Sequence, residues 1–492
     1  MGNGIKALTA TERRQALVGL GLLTLVRIYF SISNPEYDDA VSYVVFVSKG
    51  LLPTASYYPI PNNHVFSNTI SWLFYQMNPG FWWSMRLPVL LICTAATVFL
   101  FAAVLRRANF HVAALSSVAF SCLQLSMYHA GVGRGYWLLI LMAGVAFFAT
   151  LELMVAKGRH RAAWAALLVA GVVGCYTVPT FLYVLISVFS WLGFAFLRRK
   201  LPASLGSLIG LGLLIGLATA VLYAPLLLVS GIRIFTRNGY VETLAPGVFW
   251  PLLPEYLWHN EGFLAGQRTL GTFITLSVLG LLGWMFYEAR KGRLPSEQSQ
   301  QLYQLGLPAV WFVSIPYAAI LVQRVFPPER VLLYKAFFFF ILAGLVVDWV
   351  LWRWPAPAFR WPKRALFTTV SLFILYQIFT VVRVNPSARG SNANYQAGLR
   401  WIAARAPGRV LIPEPTHNLF FKFYANTEQP TRTWHIDYEQ LANTPYRYVV
   451  AFPNVRGYFQ PKFNFPPAFH NPDVDIYVVP EGYPLETKAW RR

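Results

Sequence analysis

The sequence predicts an all-α polytopic membrane protein of about eleven transmembrane helices, N-terminus cytoplasmic, with a small α/β extracytoplasmic C-terminal domain. Three observations predict it. Of 492 residues, 56% are hydrophobic and 12% charged, with a mean hydropathy of +0.45, whereas soluble domains carry about 25% charged residues. The apolar residues fall in long uninterrupted runs separated by short basic segments, which a bilayer accommodates and a soluble core of this size does not. The composition then changes after about residue 383 towards Pro, Asn, Arg and Tyr.

The runs lie at 16–32, 87–105, 112–128, 136–156, 162–178, 181–197, 204–230, 269–287, 305–322, 331–352 and 365–382. Each is roughly 17–27 residues long, enough for a helix to cross about 30 Å of hydrocarbon. If the N-terminus is placed inside and the spans alternate, basic clusters fall on inner segments: Lys6, Arg13 and Arg14; Arg106 and Arg107; Lys157, Arg159 and Arg161; Arg198, Arg199 and Lys200; Arg290, Lys291 and Arg293; Arg353, Arg360, Lys363 and Arg364. The outer loops, longer in total, carry mostly isolated cations such as Lys49, Arg134, Arg237 and Arg268. This asymmetry predicts an inside N-terminus, an odd number of spans and an outside tail. The transmembrane module is then 1–382, with long outer loops at about 33–86 and 231–268, and the outer domain 383–492.

A net charge of +21 raises the question of nucleic acid. The cations are topological clusters between spans rather than a basic stripe on one face, so no nucleic-acid partner is expected and membrane lipids are. Cys93, Cys122 and Cys175 all fall inside spans without metal-ligand spacing, which argues against a disulfide framework or zinc site. Arg27 interrupts the first apolar run and no small-residue cleavage pattern follows it, so no cleavable leader is expected. The tail reads as helix near 393–405, strand 409–413, helix near 417–425, then strands near 431–437, 446–452 and 474–479. Asp473-Val474-Asp475 looks like a metal-binding pair but leads into a strand of alternating apolar residues.

Chemistry is sought on the outer side, where the long loops are. The first loop places Glu36, Asp38 and Asp39 a few residues after a span, in a chain with 20 acidic residues. An Asp there could cap a helix at about 40–49. A carboxylate near a membrane surface also suits a general base, because low-dielectric surroundings raise its pKa. The aromatic-rich stretch that follows contains Asn62, Asn63 and His64. A short outer turn, Tyr128 to Tyr136, carries His129 and Arg134 among glycines that permit a tight reversal. A guanidinium at that turn can meet a lipid headgroup or grip a phosphate with two N–H groups. Arg330, Tyr334 and Lys335 open a later span at the boundary, where a charge either snorkels or serves a function. Glu255 to Glu261 in the second outer loop reads as an interfacial segment in which His259 and Glu261 could contact an acceptor or a metal.

Tyr37-Asp38-Asp39-Ala40 and Tyr43, the Pro61-Asn62-Asn63-His64 element, the Arg106-Arg107 turn and Arg134-Gly135-Tyr136 opening a span together resemble the GT-C superfamily of glycosyltransferases. Within it the likeness is to bacterial relatives of the protein O-mannosyltransferases and the lipid A aminoarabinose transferases, over about residues 10–350. The resemblance implies an enzyme that moves a sugar from a polyprenyl-phosphate donor to an acceptor (a protein, lipid or glycan) outside a bacterial inner membrane. Asp38 falls on the family's catalytic Asp, and Asp39 stands where the motif often has Glu. His64 lies near a His-Pro-Pro-type element, replaced here by Asn-Asn-His-Val. Arg134 and Arg330 are matched as phosphate contacts, with Asn63, His64, His129, Tyr136, His259, Glu261, Tyr334 and Lys335 as further substrate-binding candidates. No nucleotide cofactor is implied, and a divalent cation is left open. A transporter or flippase of lipid-linked glycans is the rival reading, although it favours internal repeats and broken spans at the midplane. A membrane scaffold with a partner-binding tail is another.

Overall fold

The computed structural model describes residues 8–58, 62–155, 161–201, 203–233, 242–353, 360–451, 463–483 and 485; Lys6, Pro61, Lys157, Arg159 and Arg237 lie outside them. Each of the eleven apolar runs is mainly helical over its described residues. Seven helices are long and apolar enough to cross a bilayer: Trp82–Leu105, Tyr136–Met154, Pro179–Leu197, Leu205–Ser230, Leu270–Arg290, Ser296–Gln323 and Glu329–Arg353. An eighth span is formed if Phe110–Cys122 and Gln124–Gly131, bent by 64° at their junction, are taken together. With these helices the chain is an integral membrane protein. Arg161–Thr177 and Thr368–Arg383 are shorter apolar helices, and Ala10–Ser31 is long but carries several charges.

The bend has a local cause. Leu123 leaves helical geometry (φ −53°, ψ 141°), which frees the Gln124 N–H from an intrahelical partner. The Gln377 side-chain oxygen accepts it at 2.9 Å, and the Gln377 amide donates to the Gly266 carbonyl at 2.7 Å. One buried glutamine thereby ties the broken span to the last apolar helix and the second outer loop. Arg27 is similarly satisfied inside the bundle: it donates to the Cys93 carbonyl and the Thr97 hydroxyl and lies 4.5 Å from the Trp137 ring centre, as a charge at membrane depth requires.

Glu329–Arg353 is the hub of the bundle, with 83% of its apolar window enclosed, against 17% for Leu205–Ser230. Phe337 and Phe338 pack edge-on against Phe120 and Phe312, and Phe338 lies tilted against Phe147. The outer helix instead exposes Leu213, Leu217 and Leu228 where lipid chains lie. The second outer loop contributes a 19-residue helix, Pro246–Leu264.

The tail forms a five-stranded mixed sheet. Its strands are β1 (Val410–Leu411), β2 (Ile436–Asp437), β3 (Tyr448–Ala451), β4 (Phe469–His470) and β5 (Asp475–Val478), in the order β2-β1-β3-β5-β4. β1 runs parallel to β2 and β3, while β5 is antiparallel to β3 and β4. A single helix, Arg360–Ala403, runs from the last apolar segment into this domain. The Pro415–Glu428 helix then docks on loop one, where the Phe423 ring meets Tyr43 at 5.6 Å and Phe81 at 4.8 Å. Loop one is therefore packed beneath the sheet domain, and its carboxylates lie close to that junction.

Candidate active site

Loop one folds as a broken helix. Tyr37–Val41 passes into a π-helical turn at Ser42–Phe46 and a 3-10 turn at Val47–Lys49, which Gly50 ends with φ +105°. The helix starts earlier than the 40–49 expected, so Asp38 and Asp39 lie inside its first turn. Glu36 occupies the cap position and no side chain caps the helix. Neither aspartate is used as a cap, although both sit where the helix dipole favours an anion.

The two carboxylates have different partners. Asp39 is fully buried, with its Oδ2 2.6 Å from Arg86 and 3.4 Å from the Gly133 N–H that donates to it. Burial pushes its carboxyl pKa up, while the Arg86 guanidinium and the backbone donors pull the other way. Arg86 is 1% exposed, donates to the Asn34 carbonyl at 3.1 Å and lies 5.2 Å from the Phe81 ring centre. Asp38 keeps 42% of its side chain exposed, with its Oδ2 3.8 Å from Arg134. Burial raises the Glu36 pKa, and the neighbouring Asp39 adds to that.

Arg134 is held from two sides: it donates to the Asn62 carbonyl at 2.6 Å and sits 3.0 Å from His64 Nε2. The Gly135 N–H approaches His64 Nδ1 at the same distance. Both ring nitrogens face N–H donors; a neutral ring accepts one of them according to its tautomer, and an imidazolium could accept neither. Burial and the charges of Arg134, and more weakly of Arg330, push the His64 pKa well below its ordinary value. Gly135 is required for this approach, since a Cβ there would lie 2.7 Å from Thr177 Cγ2 and 3.0 Å from His64 Nδ1. The Tyr136 ring lies 4.2 Å from His129 and 4.8 Å from His64, centre to centre. Both His129 nitrogens are buried without a hydrogen-bond partner, as are Asp39 Oδ1 and Arg134 Nε. A core polar group left in that state is costly, and here such groups concentrate around one junction.

Thus Asp38, Asp39, His64, His129, Arg134 and Tyr136 belong to one connected cluster, and the Arg330 charge reaches it. Asn63 lies next to it but turns inward: its amide donates to the Thr54 and Tyr57 carbonyls, and its oxygen accepts from Asn68. A second cluster lies on the neighbouring span. Lys335, 1% exposed, pairs with Glu261 at 3.0 Å and lies 3.4 Å from the Tyr317 ring centre. Asn260 donates to that tyrosine's hydroxyl. Tyr334 is buried with its hydroxyl unpartnered. His259 sits half-exposed, 3.5 Å from Glu255. Asp473 and Asp475 are engaged by Asn394 and His470 within the sheet domain. Among the described residues no three His, Cys, Asp or Glu side chains converge as a metal site.

Sequence reasoning missed Arg86. It ends Trp82-Trp83-Ser84-Met85-Arg86, an aromatic–basic stretch that reads as an interfacial belt. The one available signal was a cation opening the outer end of a span opposite an acidic loop.

No protein-family model and no curated protein matches the sequence. Solved structures do. ArnT from Cupriavidus metallidurans bound to undecaprenyl phosphate matches with a TM-score of 0.60, covering 95% of this chain and 98% of its own, at 13% sequence identity. The apo state of the same protein gives 0.60 at 12% identity over the same shares. The fold is GT-C. A more distant match is the archaeal oligosaccharyltransferase AglB from Archaeoglobus fulgidus, in complex with an inhibitory peptide and a dolichol-phosphate. Its TM-score is 0.54 at 11% identity, over 92% of this chain and 71% of its own. The structural likeness extends beyond the 10–350 that the sequence motifs cover, since it takes in 95% of the chain.

Proposed function

We propose that this chain is a membrane glycosyltransferase that moves a sugar from a polyprenyl-phosphate carrier to an acceptor on the extracytoplasmic side of a bacterial inner membrane, with Asp38 as the general base. The observation that carries the proposal is the division of labour between adjacent carboxylates. Asp39 is buried against Arg86, while Asp38 is solvent-accessible beside Arg134. The lipid phosphates bound in the ArnT and AglB structures support a lipid-phosphate donor.

In the reaction, an acceptor hydroxyl or amine attacks the anomeric carbon in line with the bond to phosphate. That C–O bond breaks with inversion, the acceptor's proton passes to the Asp38 carboxylate, and the electron pair leaves on the polyprenyl phosphate. Arg134 and Arg330 face the charge that develops on the leaving oxygen; such preorganised cations favour the transition state over the ground state. His64, neutral and wedged between Arg134 and Gly135, keeps that guanidinium aimed. The acidic set does not suit a divalent cation, because each aspartate already faces a guanidinium.

The test is transfer of radiolabelled sugar from polyprenyl-phosphate donors in membrane vesicles. Asp38→Asn is expected to lower transfer by roughly 10²–10⁴-fold, the usual contribution of a positioned base, with the protein still inserted. Transfer equal to wild type in both Asp38→Asn and Asp39→Asn sinks the catalytic reading and leaves carriage of lipid-linked glycans as the better account.

A further inference from the structure

A cavity of about 240 Å³ opens where the first apolar helix, the broken span and the last apolar helix part at the loop-one face of the membrane. Phe30 and Ser33 line it from the end of the first helix and the turn after it, Gln124 and Tyr128 from the broken span. Phe263 of the second outer loop and Glu36 at the start of loop one complete the wall. Towards the bundle interior Leu23, Phe30, Met127 and Val381 close the three helices together, so the cavity is the gap left at their ends. None of Asp38, Asp39, His64 or Arg134 lines it, and the proposed chemistry does not use it.

Its chemistry is one-sided. The lining holds one carboxylate, the neutral oxygens of Ser33, Gln124 and Tyr128, three aromatic rings and no Lys, Arg or His. Among the described residues no cation pairs with Glu36; Arg86, whose charge reaches it, is held 2.6 Å from Asp39. A carboxylate drawn out of water needs a counter-charge to offset its desolvation. An anion would meet Glu36 and no cation here. An ammonium fits: its N–H groups can be accepted by the carboxylate and the neutral oxygens, and the surrounding aromatic rings attract a cation. A primary ammonium has three such donors, and a quaternary one has none.

The surroundings of the cavity indicate where the ammonium comes from. Tyr29 and Ile32 beside one wall, and Phe379 and Val382 beside the other, are exposed apolar residues on membrane helices. The approach to Glu36 therefore runs between lipid-facing surfaces. A lipid supplies both halves of the match, a headgroup ammonium for Glu36 and a hydrocarbon chain for the apolar strip of Phe30, Leu125 and Val381.

We propose that this cavity binds a phospholipid with a primary-amine headgroup from the leaflet on the loop-one side, its ammonium on Glu36 and an acyl chain along Phe30, Leu125 and Val381. Glu36 immediately precedes the helix that carries Asp38 and Asp39, so an occupied site ties the start of that helix to the bilayer. The binding is independent of the transfer reaction.

The experiment places the full-length protein in nanodiscs of mixed phosphatidylethanolamine, phosphatidylcholine and phosphatidylglycerol and identifies the lipids it retains by native mass spectrometry. Wild type is expected to retain phosphatidylethanolamine in preference to the other two. Glu36→Gln is expected to lower that preference about tenfold, as loss of one charge-assisted contact does. Glu36→Asp keeps the charge and is expected to keep the preference, which separates loss of charge from loss of shape. Thermal unfolding gives a second readout. Adding phosphatidylethanolamine to phosphatidylcholine nanodiscs is expected to raise the melting temperature of wild type, because a ligand of the folded state stabilises it, and to leave that of Glu36→Gln unchanged. The proposal is overturned if wild type retains phosphatidylethanolamine no better than phosphatidylcholine, or if Glu36→Gln retains it as wild type does. It is also overturned if free ethanolamine displaces the lipid at equal concentration, which would make this a site for soluble amines.

Discussion

At Asp38 and Asp39, successive side chains on a helix point about 100° apart, so neighbouring carboxylates meet different surroundings. Asp39 points into the bundle, where Arg86 neutralises it. Asp39→Asn leaves that guanidinium buried without its counter-charge, and breaking such a pair costs roughly 3–5 kcal/mol. The expected outcome is a lowered melting temperature, read by thermal unfolding in detergent, in contrast to the activity loss of Asp38→Asn. Glu36 offers a pH test. Its folded-state pKa is raised by burial, so the wild type loses stability as pH rises from about 4.5, the unfolded value, through the folded value. Gln mimics the protonated form. Glu36→Gln is therefore expected to be more stable than wild type at neutral pH and equal to it below about pH 4.5. A pH-independent difference in melting temperature contradicts this.

At the scale of elements, the site depends on the turn that follows Gln124–Gly131 lying flush against loop one. Gly135→Ala would force a methyl to 2.7 Å from Thr177 and 3.0 Å from His64. Overpacking of this kind costs about 1–3 kcal/mol and would displace Arg134, which the His64 ring helps to hold. Transfer should fall with a larger change in kcat than in donor KM; wild-type kinetics would show that the turn has slack. The second joint is Phe423, 3% exposed, packed on Tyr43 and Phe81. Phe423→Ala removes a core aromatic, typically worth 3–5 kcal/mol. It should loosen the sheet domain from loop one, seen as new protease cutting between membrane module and tail.

For the whole molecule, the proposed reaction needs the site and the sheet domain outside the membrane. Tyr438 is exposed on that domain and Arg199 ends an inner segment in the predicted topology. Tyr438→Cys is expected to react with a membrane-impermeant maleimide in intact cells, and Arg199→Cys only after permeabilisation. The reverse pattern would invert the orientation. The native Cys93 and Cys122 are buried and Cys175 is half-buried, so background labelling should be low.

The apolar runs, the basic clusters and the compositional change near residue 383 are properties of consecutive residues, and a bilayer reads them one span at a time. For that reason the membrane class, the helices and the presence of a mixed α/β tail were legible in the sequence, and the motif offered Asp38, His64 and Arg134 as candidates that the fold brings into one cluster. The sequence could not separate Asp38 from Asp39. That separation depends on Arg86, 47 positions further along the chain, reaching one carboxylate and leaving the other. Nor could it show that Asn63 turns into its own loop, that Leu123 bends a span, or that Phe423 packs on Tyr43. Each of these is decided by how the folded chain packs rather than by the pattern of consecutive residues. Local pattern determines which segments enter the membrane, and tertiary packing determines which side chains face one another once they are there.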